Sequence, residues 1–419
     1  VQIFIIFAGF YWLSEYQKFF FGGFTLLSLI LTIYIFNKPG NPAFKMSWMV
    51  IVLAFPILGG GLYLFIQTNI GTIGVAKRLR HIFTSTKSFA KQDPQTLSNL
   101  LKTDKDIYNL ANYVLNSRNY PIYENSKATY YPLGENGFKE MIDQLKKAKK
   151  FIFLEYFIIE DGIMWSSILE VLKQKVKEGV EVRVMYDGTC SIALLPINYP
   201  KQLESFGIKV KMFAPIKPAL STHQNNRDHR KILVIDNKIA FTGGINLADE
   251  YINQKKRFGH WKDVVIMIEG EAVSSFTLMF LQMWNIKIDK NEYEKYLKDI
   301  YKVPTDGYIL PYSEIPITHL RVAENVYLSS IYNAKEYIHI MTPYLIIDNE
   351  MITALNYAAA SGIDVSIIMP HIPDKKLAFN LAKSYYPELI KGGVKIYEYT
   401  PGFIHAKSFV SDDIKAIVG

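Results

Sequence analysis

The spacing of hydrophobic positions changes along this chain. Phe19 to Phe36 is 18 residues without a charge, and Met46 to Gln67 is 22 more, interrupted only by Pro56 and the Gly59-Gly60-Gly61 run. Either stretch is long enough to cross a bilayer as a helix. Ile3 to Leu13 is shorter and reads as the remnant of a third span. No small-residue cleavage site follows, so a signal peptide fits poorly. This pattern predicts a transmembrane helical region over residues 1–69. Beyond it, short apolar runs alternate with amphipathic segments. Phe151 to Phe157 reads as a strand with Glu155 embedded in it. Ile163 to Lys177 has helical spacing, with Ile168, Leu169, Leu172 and Val176 on one side, and Glu181 to Tyr186 is the next strand. Tyr337 to Met341, Glu350 to Ala360 and Asp364 to Met369 repeat the order. A β-α-β order predicts an α/β fold, with mostly parallel strands, helices on the faces and ligands at the strand carboxyl ends.

The repetition is an internal duplication. Ala148-Lys149-Lys150-Phe151-Ile152 aligns with Ala334-Lys335-Glu336-Tyr337-Ile338. Gly179-Val180-Glu181-Val182 aligns with Gly362-Ile363-Asp364-Val365, and Gly207-Ile208-Lys209-Val210 with Gly393-Val394-Lys395-Ile396. The period is too long for a solenoid. It predicts two similar α/β domains, at 123–300 and 301–419, joined to the apolar region by a juxtamembrane linker over 70–122. That linker has a basic start and a helical patch around Asp106 to Val114.

Each half carries one further matching motif. His229-Arg230-Lys231 followed by Asp236 recurs as His405-Ala406-Lys407 followed by Asp412. The intervening residues are β-branched and apolar, which is strand composition. Alternation on a strand puts His229 and Lys231 on one face and Asp236 on the other. His405, Lys407 and Asp412 follow the same rule, so the two aspartates read as structural members of the motif. Two such strands face to face give two imidazoles and two ammonium groups in one site. That set suits displacement at a phosphodiester: one histidine attacks, the other protonates the leaving oxygen, and the lysines hold phosphate oxygens. Adjacent lysines would repel a metal cation, which argues against a metal-dependent hydrolase.

Charge and cysteine content narrow the setting. The formal net charge is +8, which suits either nucleic acid or an anionic membrane, and the apolar front end favours lipid. Lys77, Arg78, Arg80 and His81 follow the second apolar stretch and place the remainder on the cytoplasmic side. The single cysteine, Cys190, excludes an intramolecular disulfide and suits a reducing compartment.

The paired motifs resemble the phospholipase D superfamily, and the chain from Asn41 onward is similar to its bacterial cardiolipin synthases. The stretches that carry the likeness are Asp228 to Asp236, Phe241-Thr242-Gly243-Gly244-Ile245-Asn246, Asp249-Glu250-Tyr251, Trp261-Lys262-Asp263, Thr342-Pro343-Tyr344 and Gly402 to Lys407. The resemblance implies two phospholipase D-like α/β domains in a multi-pass protein of the bacterial cell membrane. It implies transfer between two phosphatidylglycerols, giving cardiolipin and glycerol through a phosphohistidine, with no cofactor, nucleotide or metal. His229 is then the nucleophile and His405 the general acid and base. Lys231 and Lys407 hold the phosphate. Asn246, just past the Gly-Gly turn, donates its amide to a phosphate oxygen. Asp263 is expected to orient His229, with Glu250 in reserve. Partners would be phosphatidylglycerol and anionic membrane lipids, with no nucleic acid.

In that family the second motif continues into a glycine-led turn and a second asparagine. Here Ala416-Ile417-Val418-Gly419 follows, and the chain opens on Val1, so the sequence reads as a segment of a longer protein. Competing readings are a hydrolytic phospholipase D, another phosphatidyltransferase such as a phosphatidylserine synthase, a nuclease, and a membrane-anchored lipid-binding protein. Intact histidines and lysines in both motifs argue against the last.

Overall fold

The computed structural model describes residues 17–67, 73–190, 194–214, 227–287, 292–314 and 321–419. Ile3 to Leu13 lies outside them. Two compact units result, one of residues up to Gly74 and one that runs from Val75 to the last residue.

The first unit contains helices Gln17–Asn37, Pro42–Ala54 and Pro56–Gln67. Phe19 to Phe36 falls within the first helix. The second apolar stretch, expected as one span, is two helices of 13 and 12 residues. Pro56 is the reason: it has no N–H to offer the carbonyl of Val52. That carbonyl instead accepts the Ser28 hydroxyl at 2.8 Å, so the break is stitched to the preceding helix. Each piece is only about 18–20 Å long, against about 30 Å of hydrocarbon. Among the described residues no helix is long and apolar enough to cross a membrane. The three helices share a small core of Leu31, Ile35, Val52 and Tyr63. Many other apolar side chains remain exposed, Ile33, Phe36, Phe44 and Val50 among them.

The second unit has fourteen strands among its described residues. In the first half they are β1 (Ser126–Tyr131), β2 (Phe151–Tyr156), β3 (Glu181–Asp187), β4 (Lys209–Phe213), β5 (Ile232–Ile235), β6 (Ile239–Gly243), β7 (His260–Lys262) and β8 (Val265–Gly270). In the second they are β9 (Tyr337–Met341), β10 (Asp364–Pro370), β11 (Lys395–Tyr399), β12 (Gly402–Ile404), β13 (Ser408–Ser411) and β14 (Lys415–Val418). The larger sheet has the order β1-β8-β6-β5-β2-β3-β4, and the smaller has β11-β10-β9-β13-β14. The duplicated pattern is the shared part. In each half three parallel strands (β2-β3-β4 or β9-β10-β11) sit beside an antiparallel hairpin (β5-β6 or β13-β14). Helices cover both faces of the larger sheet. Trp165, Ile168 and Leu172 of helix Ile163–Lys177 enter one core. Phe280 of the almost wholly buried helix Val273–Trp284 stacks on Phe153 at 4.6 Å in the other.

The two motif aspartates set this geometry. Asp236 accepts backbone N–H bonds from Lys149, Lys150 and Phe151 at 2.7, 2.7 and 2.8 Å. Asp412 accepts from Lys335, Glu336 and Tyr337, each at 2.9 Å. Both also begin hairpin turns in which two successive residues are left-handed: Asp236 and Asn237 at φ 54° and 55°, Asp412 and Asp413 at 57° and 53°. Asp and Asn tolerate that region better than other L-residues, and such turns match the strand twist. Each aspartate thus clamps a hairpin to the amino end of the neighbouring parallel strand, far from the histidines of its own motif.

Replacing either clamp by alanine orphans three backbone donors. Asp236→Ala and Asp412→Ala should each lower the unfolding free energy by about 2 kcal/mol. Urea denaturation checks this, and a loss below about 0.5 kcal/mol for both would refute the structural role.

Candidate active site

β5 runs antiparallel to β2, with Glu155 opposite Ile232. The segment entering β5 therefore lies at the carboxyl ends of β2 and β3. β13 repeats this against β9, with Ser408 opposite Met341. His229 to Lys231 and His405 to Lys407 occupy these entries. They are extended segments just before the ladders rather than ladder residues as expected.

Each lysine folds back on its own motif. Lys231 Nζ donates to the His229 carbonyl, and Lys407 Nζ to the His405 carbonyl, both at 2.6 Å. The two histidines differ. The His229 residue keeps an exposed edge, but its ring is flanked by Phe157 at 4.6 Å, and Lys231 Nζ lies 3.1 Å from its Nδ1. Among the described residues no hydrogen bond or ion pair links it to a carboxylate. His405 is buried, and its Nδ1 donates to Asp263 Oδ2 at 2.7 Å. Rings of Tyr251, Trp261 and Phe403 surround it at 5.4, 5.5 and 5.9 Å. Asp263 was expected to serve His229; it serves the histidine of the other half.

The two halves meet here. β12 pairs in parallel with β7, so Gly402, Phe403 and Ile404 lie opposite His260, Trp261 and Lys262. The N–H groups of His405 and Ala406 continue this contact to the Lys262 carbonyl at 2.8 and 3.2 Å. Phe403 is fully buried within the core of the first half. Gly244 makes the approach possible, since a Cβ there would lie 1.9 Å from Asp263 Oδ1 and 2.9 Å from the His405 carbonyl oxygen.

The other expected residues are engaged by protein partners. The Asn246 amide donates to the Tyr251 hydroxyl at 2.8 Å, and its Oδ1 accepts from the Ile158 N–H at 3.1 Å. It fixes Tyr251, which faces His405. Glu250 pairs with Arg257 at 3.0 Å and does not serve His229. Sequence reading missed the aromatic cage and the partner of Arg230. That guanidinium is ion-paired with buried Glu155 and with Asp228 at 3.3 Å. A lone carboxylate in the apolar run Phe151 to Phe157 was the available signal, because a buried charge needs a partner.

The site holds more positive charge than counter-charge. Burial, then Lys231, Lys407 and His405, push the His229 ring down to about 3, so it is neutral with one ring nitrogen unprotonated. Burial and Lys407 lower Lys231 to about 7, and burial lowers Lys407 to about 8. His405 is also lowered, chiefly by burial and Lys407, while Asp263 works against that shift. Burial alone would raise Asp263, but His405, Lys407 and the Val264 N–H hold it below the usual carboxylate range. Such a crevice suits an anion flanked by two imidazoles, one of them backed by a carboxylate. Among the described residues no group of three or more His, Cys, Asp or Glu side chains could hold a metal ion.

The chain is similar to known proteins. Residues 141–284 and 327–419 match the family described as "Cardiolipin synthase, PLD-like domain". Residues 26–67 match the phospholipase D-nuclease N-terminal family. An uncharacterized protein of Streptococcus mutans serotype c is 51% identical over 388 residues, 92% of this chain and 84% of that protein. A cardiolipin synthase of Alkalihalophilus pseudofirmus is 34% identical over 410 residues, 94% of this chain and 79% of that one. A cardiolipin synthase of Halalkalibacterium halodurans is 33% identical over 421 residues, 97% and 82% of the two chains.

Anion binding should follow the two lysines. Both pKa values are depressed, so both ammonium groups lose charge as pH rises through about 7 and 8. Sulfate, which stays dianionic in this range, should bind tightest at about pH 6 and weaken steadily toward about pH 9. Calorimetric titration of the wild type and Lys231→Met checks this. The variant should bind more weakly with a shallower pH dependence, and a flat wild-type profile would refute the electrostatic account.

Proposed function

The chain belongs to the family of cardiolipin synthases with a PLD-like domain, and on that premise we propose that it joins two phosphatidylglycerols into cardiolipin and glycerol. The observation that carries this reading is the crossed arrangement of the site. Histidine-lysine pairs from both halves line one cationic crevice, and Asp263 of the first half holds His405 of the second.

The difference between the histidines supports a division of labour. His229, neutral among cations, is the nucleophile. A ring nitrogen forms a bond to the phosphorus of the first lipid while the phosphorus–oxygen bond to its glycerol headgroup breaks. His405, lowered by burial and Lys407 but supported as imidazolium by Asp263 once the phosphate charge offsets Lys407, gives its proton to that oxygen, and glycerol leaves. A hydroxyl of the second phosphatidylglycerol then gives its proton to His405 and attacks phosphorus. The nitrogen–phosphorus bond breaks and cardiolipin is released. Lys231 and Lys407 neutralise the phosphate oxygens, which restore full charge to both ammonium groups. Asp263 and Asn246 act as positioning residues, the latter through Tyr251.

Both substrate and product are lipids. The apolar side chains left exposed on the first unit support anchorage in the bacterial cell membrane as a packed helical group. The basic cluster Lys77, Arg78 and Arg80 favours the cytoplasmic face for the catalytic halves.

The test is mass spectrometry of lipids after incubating the protein with phosphatidylglycerol vesicles without nucleotide. Cardiolipin with equimolar glycerol is expected. Phosphatidate instead would make water the acceptor and the protein a hydrolase. His229→Ala and His405→Ala should each reduce turnover by about 10³-fold or more, and Asp263→Asn by about 10²-fold. Equal activity in wild type and His229→Ala would refute the covalent scheme.

A further inference from the structure

A second polar pair stands at the strand carboxyl ends of the second half, and the transfer scheme leaves it unused. Tyr344 lies just beyond β9 and Asp374 just beyond β10. The Tyr344 hydroxyl donates to Asp374 Oδ2 at 2.5 Å. The other oxygen, Oδ1, is buried and has no hydrogen-bond partner. A buried carboxylate oxygen is costly to leave without a donor.

This pair belongs to the neighbourhood of the crevice. The Ile372 N–H donates to the Gly402 carbonyl at 3.2 Å, which ties the Asp374 loop to the strand leading into His405. The Asp374 charge raises Lys407, and the Tyr344 hydroxyl bears on Tyr251, whose ring faces His405. Lys375 lies over the Tyr344 ring at 4.8 Å and adds positive charge felt by both Lys407 and His229.

The chemistry of the missing donor is constrained. A carboxylate repels a phosphate, so Oδ1 does not hold the phosphodiester itself. Lys375 beside it disfavours a cationic headgroup. A neutral hydroxyl remains. We propose that Asp374, held by Tyr344, is a hydroxyl-binding subsite for the acceptor alcohol and takes a polyol, whose second hydroxyl donates to its free oxygen while the neighbouring hydroxyl attacks.

This deepens the transferase reading and rests on it. Asp374 takes no proton: the attacking hydroxyl gives its proton to His405, its oxygen bonds to phosphorus, and the His229 nitrogen departs. The subsite selects a glycerol headgroup over water and over alcohols with one hydroxyl, because only a vicinal diol fills both positions. Sequence reading placed Tyr344 in a family-like stretch without a role and left Asp374 unmarked.

The test reads partitioning, which is set after the phosphatidyl-histidine has formed. Phosphatidylglycerol vesicles are incubated with the protein, and the cardiolipin-to-phosphatidate ratio is measured. In parallel, propan-1-ol is added and the phosphatidylpropanol-to-phosphatidate ratio is measured. Asp374→Leu keeps the bulk and removes the acceptor. It should lower the first ratio about tenfold and leave the second unchanged. An unchanged first ratio overturns the proposal, as does an equal fall in both, which would mark a general structural effect. If Asp374→Leu does not fold, Asp374→Asn should lower the first ratio by a smaller factor with the second unchanged, and no change there overturns the proposal too. A wild type that makes only phosphatidate refutes the transferase reading and this proposal together. A wild type that makes cardiolipin while the variants match it refutes this proposal alone.

Discussion

The hydrogen bond between Asp263 and His405 joins the two halves at their most demanding point. Asp263 has no solvent exposure, yet it stays ionised. An unpaired carboxylate in that position would be strongly destabilising. Its acceptors are filled by the His405 ring at 2.7 Å, the Val264 N–H at 2.9 Å and the Trp261 indole N–H at 3.4 Å. Two of these come from its own half and the third from the other. Docking of the halves and assembly of the site are therefore one event. The β7–β12 pairing, the insertion of Phe403 and the absence of a side chain at Gly244 all serve the same close approach.

A consequence is that the crevice favours an anionic ligand. The positive charge outweighs the carboxylates that bear on it, Asp263, Asp228 and Asp374, and the shifts at His229, Lys231 and Lys407 all favour the less charged form. An entering phosphodiester reverses them. Ground-state binding and the stabilisation of developing charge thus draw on the same preorganised cations, held in place by their own motif carbonyls rather than by carboxylates that would compete with substrate.

The duplication was legible because backbone-level demands leave marks in sequence. Strands of branched residues, glycines after helices and a motif at matching places in both halves identified the α/β repeat. Strand parity also separated the aspartates from the histidines, and three backbone N–H groups fill each of them. Assignments that depended on long-range partners fared differently. Asp263 follows His229 in the chain but points to His405, because β7 pairs with β12 and brings the second motif across. Asn246 sits at the expected turn, but its amide is engaged by Tyr251. Glu250 pairs with Arg257 through one carboxylate oxygen. Pro56 is visible in the sequence, yet the length of the apolar stretch outweighed it in the reading, and the chain divides there.

What sequence alone determined was where the two motifs of His, Lys and Asp stand and how their members are spaced. A motif of His, Lys and Asp separated by apolar strand residues constrains local geometry over a few residues, and local geometry is periodic. What only the tertiary structure decided was which half supplies the partner of which histidine, which histidine is left among cations, and which carboxylate oxygen of Asp374 is left without a donor. Those outcomes depend on how two similar sheets dock, and side-chain pairing across a docking surface has no period along the chain from which it could be read.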